Sequence, residues 1–559
     1  MLFTSYEFIG FVILLVALYY VLPKKAKWPL LLLGSYVFYY FAGWNFLFYI
    51  AAVTVITYVA GLLISRNKKN MEETLKARKE LASGVSSDPG VDLSRAKLAA
   101  EVRGISVSDF TKEEKKAFKA AEKKKRRRIM TIGIVLALGI LAVVKYTNFT
   151  IHNINGILSV FGSTKRLGFL EIALPMGISF YTFQAVSYVI DVYRDRHEAQ
   201  KNFFKYALFV SFFPQLVQGP ISRYGDLSKE LFTPHTFSGR VLERGLQRVI
   251  WGYFKKVVIA DRILTAVNAL IAAPATYKGA YVFLVMMFYA LELYADFTGG
   301  IDITIGIAEM LGIPVKENFE RPFFSKNIAE YWRRWHITMG TWFTDYIFYP
   351  ISVSGPMLKL SKWSRKHLGE KVGKRLPVYL ASFIVWFTTG IWHGASWNFI
   401  VWGLGNFVVI MISQELEPLY RKFHKKVNTD GSTAYKTFQV GRTVLLMSAL
   451  RLFDCYRDVP LTFKKFGTMF TTWNWKTLGS GTLMHLGLVR SDYVILGLGT
   501  ILLIVVSMIG RSGSVRDKME KKMPLVARWG IFTLLVLIIL VFGAYGQGYD
   551  AAQFIYNQF

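Results

Sequence analysis

The sequence predicts an all-α protein that crosses a lipid bilayer many times. Three observations carry that prediction. The 559-residue chain is 53% hydrophobic, and several apolar runs reach about 20 residues, the length that crosses a hydrocarbon core. The runs are continuous rather than alternating, so helices, not a closed barrel, satisfy the backbone polar groups in lipid. Lys and Arg collect in the connections between runs, as loops on the cytoplasmic side do. Together these predict one polytopic bundle of roughly a dozen membrane helices, with re-entrant or interfacial helices among them.

The elements follow in chain order. Leu2–Leu22 reads as a first span. It lacks a basic n-region and a small-residue cleavage site, so it is expected to be retained. Trp28–Phe41 and Leu47–Ile64 read as spans two and three, with the aromatic cluster Tyr36–Trp44 as a candidate interfacial belt. These form an N-terminal membrane unit, residues 1–65. Composition then changes: residues 66–128 hold 19 Lys/Arg against 10 Asp/Glu and end in KKKRRR. This reads as a basic cytoplasmic insertion, with charged helices at its ends and a flexible break at Ala82–Gly90. Residues 129–545 form the membrane core. Met130–Tyr146 and Leu174–Val192 are spans; Ala207–Pro220, interrupted by Pro214 and Gly219, suits a re-entrant segment. Val241–Leu270 and Ala280–Leu311 are helical, and Lys316–Arg334 reads as interfacial. Val378–Trp392, Trp397–Ile412, a weak span at Gly441–Leu452, Tyr493–Ile509 and Trp529–Phe542 complete the set. This order puts both the N-terminus and the tail, residues 546–559, on the extracytoplasmic side.

Charge and cysteine usage narrow the function. A net charge of +31 in a soluble chain would point to nucleic acid. Here anionic headgroups account for it, and no nucleic-acid partner is expected. The single Cys455 excludes an internal disulfide and a cysteine-based metal cluster.

Two stretches carry the chemistry. Glu330–Pro350, EYWRRWHITMGTWFTDYIFYP, combines two arginines, three tryptophans and His336. Thr388–Asn398, TTGIWHGASWN, places His393 directly after an apolar run. The other six histidines lie in polar or loop-like contexts. An ionisable side chain at membrane depth marks a functional path or serves as a neutral helix–helix bond. Helical spacing puts Trp332, Trp335, His336 and Met339 on one face. The flanking Arg333 and Arg334 suit an anionic group, such as a phosphate, at the cytoplasmic mouth. A histidine near neutrality can take the proton of an acceptor hydroxyl, and a second imidazole can stabilise the oxyanion. No serine elbow accompanies the pair, and two histidines without further ligands do not make a zinc site. Glu292, Asp296 and Asp302 lie in one apolar helix; they fit buried ion pairs, or a proton relay.

Five long motifs then identify a resemblance. They are LPMGISFYTFQAVSYVIDVYRD (Leu174–Asp195), FFPQLVQGPISRY (Phe212–Tyr224), YADFTGGIDITIG (Tyr294–Gly306), Asn318–Pro350 and GIWHGASWNFIVWG (Gly390–Gly403). In this order they resemble the membrane-bound O-acyltransferase superfamily, in its bacterial alginate O-acetylation branch. The resemblance covers nearly the whole chain outside residues 66–128. It implies a helical ring around a central tunnel, in the bacterial plasma membrane. It matches the family's membrane-embedded histidine to His393 and its second histidine or asparagine to His336; we read His393 as the base and His336 as the group that orients or polarises the donor carbonyl. Trp332, Arg333, Arg334, Trp335 and Trp392 would line the donor path. No bound cofactor is implied; acetyl-CoA would be the acyl donor. An extracytoplasmic SGNH-hydrolase-like acetyltransferase would be the partner, with a polysaccharide as the final acceptor. The related D-alanyl branch serves teichoic acids, and a proton-coupled transporter is the reading from a different class. The tail FIYNQF (Phe554–Phe559) resembles a C-terminal motif of the branch, in which Tyr556 would relay the acyl group.

Overall fold

The computed structural model describes residues 3–83, 111–427 and 432–545. The chain enters as α1 (Tyr6–Val21), α2 (Lys27–Tyr40) and α3 (Phe46–Ser83). Next come α4 (Lys112–Val160), α5 (Ile178–Tyr193), α6 (Phe203–Ser211), α7 (Phe213–Leu216) and α8 (Tyr224–Phe232). α9 (Gly239–Tyr253) passes through a π-helical stretch, Phe254–Ala260, into α10 (Asp261–Ala272), and α11 (Ala280–Met310) packs along them. Two short helices, α12 (Ile328–Arg334) and α13 (Ile337–Phe343), lead through a second π-helical stretch to α14 (Tyr349–Ser352). α15 (Gly355–His393), α16 (Trp397–Glu415), α17 (Glu417–Val427), α18 (Thr433–Tyr456) and α19 (Val459–Thr471) follow. α20 (Arg490–Ile509), α21 (Val515–Lys522) and α22 (Leu525–Phe542) close the described chain.

Among the described residues seven helices are long and apolar enough to cross a membrane: α3, α4, α11, α15, α16, α20 and α22; α1 is apolar but has 16 residues. The chain is a multi-pass helical membrane protein.

The charged ends of the basic segment are not separate helices. α3 and α4 run uninterrupted from their apolar stretches into it. Its root is pinned where Lys68, at 3.0 Å, and Arg126, at 3.7 Å, meet Asp195. The expected break at Ala82–Gly90 falls almost wholly in residues 84–110, outside the described residues. The weak span at Gly441–Leu452 is the middle of α18. Ala207–Pro220 is broken at Phe212, between α6 and α7, and is buried in protein, the condition under which irregular backbone is tolerated at depth. The aromatic cluster at the end of α2 divides: Phe38 and Tyr39 are core, while Tyr40, Phe41 and Trp44 are exposed.

In lipid, close van der Waals packing of small residues holds helices together. α9 and α11 show the device. A Cβ on Gly252 would lie 2.6 Å from the Gly299 carbonyl, and one on Gly245 2.6 Å from the Gly306 carbonyl. That approach brings cations to the α11 carboxylates. Lys255 reaches Asp302 at 2.5 Å, Arg248 reaches it at 3.0 Å, and Lys256 bridges Asp296 and Asp261 at 2.7 Å each. Asp296 and Asp302 are thus in buried or nearly buried ion pairs. Glu292 is buried above them, and its Oε2 has no hydrogen-bond partner among the described residues.

Two apolar cores result. One gathers α1, α2, α5, α6 and Trp392; the other gathers α10, α11, Tyr331 and Trp335. The two sequence-predicted histidines lie at the seam between them.

Candidate active site

His393 is the last residue of α15, and the chain leaves the helix through an extended Gly394 (φ −168°, ψ 154°). The turn into α16 is tight. A Cβ on Gly390 would sit 2.7 Å from the Phe399 carbonyl, and one on Gly403 2.5 Å from the Trp386 carbonyl. The final carbonyls of a helix find no partner inside it. Here α4 supplies the donors: Lys145 Nζ donates to the Trp392 carbonyl at 2.6 Å, and the Tyr146 hydroxyl to that of Ile391 at 2.8 Å. The imidazole lies 4.6 Å from the Trp402 ring, edge to face.

His336 stands at a break in the chain. The expected single helical face through Trp332, Trp335, His336 and Met339 is corrected here, because α12 ends at Arg334 and α13 begins at Ile337. Between them His336 takes a left-handed conformation (φ 48°, ψ 52°). The cause is Asn318. Its backbone carbonyl accepts from Ile337 N–H at 2.9 Å, and its side-chain Oδ1 accepts from Thr338 N–H at 3.0 Å. These are the orphan donors of a helix start, capped from another segment. His336 Nδ1 also meets Asn318 Oδ1, at 3.3 Å.

The structure brings the two histidines together across one ring. Trp392 lies 5.9 Å from His336 and 5.0 Å from His393, centroid to centroid. Phe297, at 5.0 Å, and Phe180, at 6.3 Å, complete the wall around His336. Both imidazoles are buried, with 0% and 5% of their surface exposed.

The other expected residues divide. Trp335 is buried and stacks on Tyr331 at 5.5 Å. Trp332 donates from Nε1 to Asn406 Oδ1 at 3.2 Å and packs on Trp386 at 4.9 Å. Arg334 is engaged by Glu330 at 2.6 Å, while Arg333 is exposed. Tyr556 lies outside the described residues.

Sequence reasoning missed a charge that the fold carries to the centre. Arg451 of α18 is buried among Trp402, Trp335 and Trp332, at 4.8, 5.2 and 5.9 Å from their rings, and pairs with Asp454 at 3.1 Å. It shares the Trp402 ring with His393, whose imidazole lies 4.6 Å from it. The signal was present as two charges, RLFD, in an apolar helix; which way they face needs the fold. The same holds for Lys145, a lone cation at the end of the apolar run of α4. A pair of buried imidazoles in an aromatic box, with a guanidinium beside them, can move a proton and stabilise a developing anion.

Residues 194–438, which contain both histidines, match the profile of the membrane-bound O-acyltransferase family. The protein named "Probable alginate O-acetylase AlgI" of Azotobacter vinelandii is 33% identical over 404 residues, which cover 72% of this chain and 66% of that one. Its namesake from Pseudomonas putida is 30% identical over 417 residues, covering 74% and 71%. The "Peptidoglycan O-acetyltransferase" of Helicobacter pylori is 30% identical over 325 residues, covering 54% and 58%. The match thus spans about two thirds of the length of the alginate O-acetylase relatives. Over that length, with both histidines inside the shared segment, this chain belongs to the membrane-bound O-acyltransferase family, in the branch of the alginate O-acetylases.

Proposed function

We propose that this protein is an O-acetyltransferase that moves an acetyl group from a cytoplasmic donor, acetyl-CoA, toward an extracytoplasmic polysaccharide. The observation that carries the reading is the buried pair His336 and His393 on either side of Trp392. An acyl transfer to a hydroxyl needs a group to take the hydroxyl's proton and one to steady the acyl oxygen, and this pair supplies both. The membrane is the bacterial plasma membrane, with the basic ends of α4 and α15 on the cytoplasmic side. From Arg128 to Lys145, and from Arg375 to His393, is about 26 Å along a helix at 1.5 Å per residue. The reacting centre then lies toward the acceptor side, and the donor arrives from the side of Arg333. A partner enzyme of the SGNH-hydrolase type completes esterification outside, with Tyr556 as the relay.

The experiment is ester-linked acetate on envelope polymers of a deletion strain, complemented with wild type or His393→Ala at matched membrane levels. Acetate restored by wild type alone supports the reading and identifies the polymer. D-alanine responding instead moves the protein to that chemistry. Proton-driven uptake by proteoliposomes without donor consumption would make it a transporter.

A further inference from the structure

We propose that Asn318 is a positioning residue for His336, and that it makes Nε2 of that imidazole the proton-accepting atom of the transfer. The inference rests on the acyltransferase reading above and deepens it.

Asn318 is fully buried, and chemistry fixes which atom of its amide faces α13. The Thr338 backbone N–H, 3.0 Å away, can only donate, so the atom it meets is the oxygen Oδ1. The Thr338 hydroxyl reaches the same oxygen at 2.9 Å. That hydroxyl accepts the Ile221 N–H at 3.0 Å, which directs its own proton to Asn318. His336 Nδ1 meets this oxygen at 3.3 Å. An amide oxygen only accepts, so Nδ1 carries the proton. In a neutral imidazole the lone pair is then on Nε2.

The consequence concerns roles. A neutral His336 cannot polarise a carbonyl by donating from Nε2; it must first take up a proton there. The division of labour expected from the sequence is therefore reversed at this residue: His336 acts as base. As the acceptor hydroxyl's oxygen bonds to the acyl carbon, its proton passes to Nε2. The bond from the acyl carbon to the donor thioester's sulfur breaks, and the proton leaves Nε2 for that sulfur. Thioester and alcohol become ester and thiol, with nothing left over.

A second feature of Asn318 fits. Its Nδ2 has no hydrogen-bond partner among the described residues. The amide therefore spends its oxygen on α13 and His336 and holds its place through that oxygen alone. Arg451, 5.2 Å from the Trp335 ring, and His393, across Trp392, are charged or titratable groups close to His336.

The test has two arms. The first labels histidine with ¹⁵N in the full-length protein in nanodiscs and assigns His336 by loss of its signals in His336→Gln. The expected neutral form has Nδ1 protonated and Nε2 bare; the opposite tautomer overturns the proposal, and this arm needs no Asn318 variant to fold. The second measures acetyl transfer from acetyl-CoA. Asn318→Leu should lower kcat by about 10²–10⁴-fold, the range for losing a general base, with KM for donor within about twofold. Asn318→Asp keeps an acceptor for Nδ1, so part of kcat should return. The acid limb of its pH–rate profile should move to higher pH, because a carboxylate favours the imidazolium. Wild-type kcat and pH profile in a folded Asn318→Leu would overturn the proposal. Wild-type transfer by a folded His336→Gln would likewise overturn it, whereas no acetyl transfer by the folded wild-type protein would instead remove the acetyltransferase reading itself.

Discussion

Lys145 Nζ donates a hydrogen bond to the backbone carbonyl of Trp392, 2.6 Å away, and so ties the middle of α4 to the end of the helix that carries His393. A cation at a helix C-terminus also complements the helix dipole. Lys145→Met should leave that carbonyl without its donor, at a cost of about 1–3 kcal/mol. The expected outcome is a lower melting midpoint in detergent and a fall in kcat larger than the change in donor KM. Lys145→Arg, which keeps a donor, should recover part of both. Unchanged kcat in a stable Lys145→Met would show that the cap does not hold His393 in place.

His393→Ala should leave folded protein and lower transfer by about 10²–10³-fold, the usual contribution of a group that steadies a developing oxyanion. Size-exclusion profile and donor-dependent CoA release, measured on one preparation, separate lost chemistry from lost fold.

Arg451 and Asp454 form a buried pair, and removing one partner strands the other. Asp454→Asn or Arg451→Met alone should cost about 3–5 kcal/mol, whereas an apolar replacement of both should cost less. A double-mutant cycle on thermal midpoints checks the coupling. Activity should still fall in the double variant, since the guanidinium that shares the Trp402 ring with His393 is gone.

The seam of α9 and α11 depends on small residues. Gly252→Leu puts a side chain where a Cβ alone would already sit 2.6 Å from the Gly299 carbonyl. The helices must separate, and Lys256 then loses its 2.7 Å contact with Asp296. Loss of monodisperse protein is expected, while Gly139→Ala, where nothing lies within 4 Å, should behave as wild type.

One acid-sensitive contact lies outside the spans. Glu520 of α21 is held below its ordinary value of 4.5, first by its hydrogen bond to Arg240. A carboxylate lowered in the folded state stabilises above its unfolded pKa, and that stabilisation is lost as pH falls through the folded value. The melting midpoint of wild type should therefore fall more between about pH 5 and about pH 3 than the midpoint of Glu520→Gln. High salt should shrink the difference, because the group is partly open to solvent. Parallel slopes would mean the contact adds nothing.

The sequence by itself determined the material of this protein. Apolar runs of spanning length, basic connections and ordered motifs dictate a helical bundle in lipid, because backbone groups there must bond within their own segment. It also singled out His336 and His393, since imidazoles in apolar or tryptophan-rich surroundings stand apart from the rest. Two of the three α11 carboxylates read correctly as paired, for a buried charge needs a partner. What the sequence does not carry is direction across the bundle. A run of WRRWHITM reads as one helix until Asn318, 18 residues earlier, caps Ile337 and Thr338 and turns His336 out of it. Arg451 and Lys145 read as charges near span ends until packing sets one among three tryptophans and the other on the Trp392 carbonyl. Periodicity reports contacts within a helix; which donors meet which orphan carbonyls is decided when separate helices close on each other, and only tertiary structure decides that.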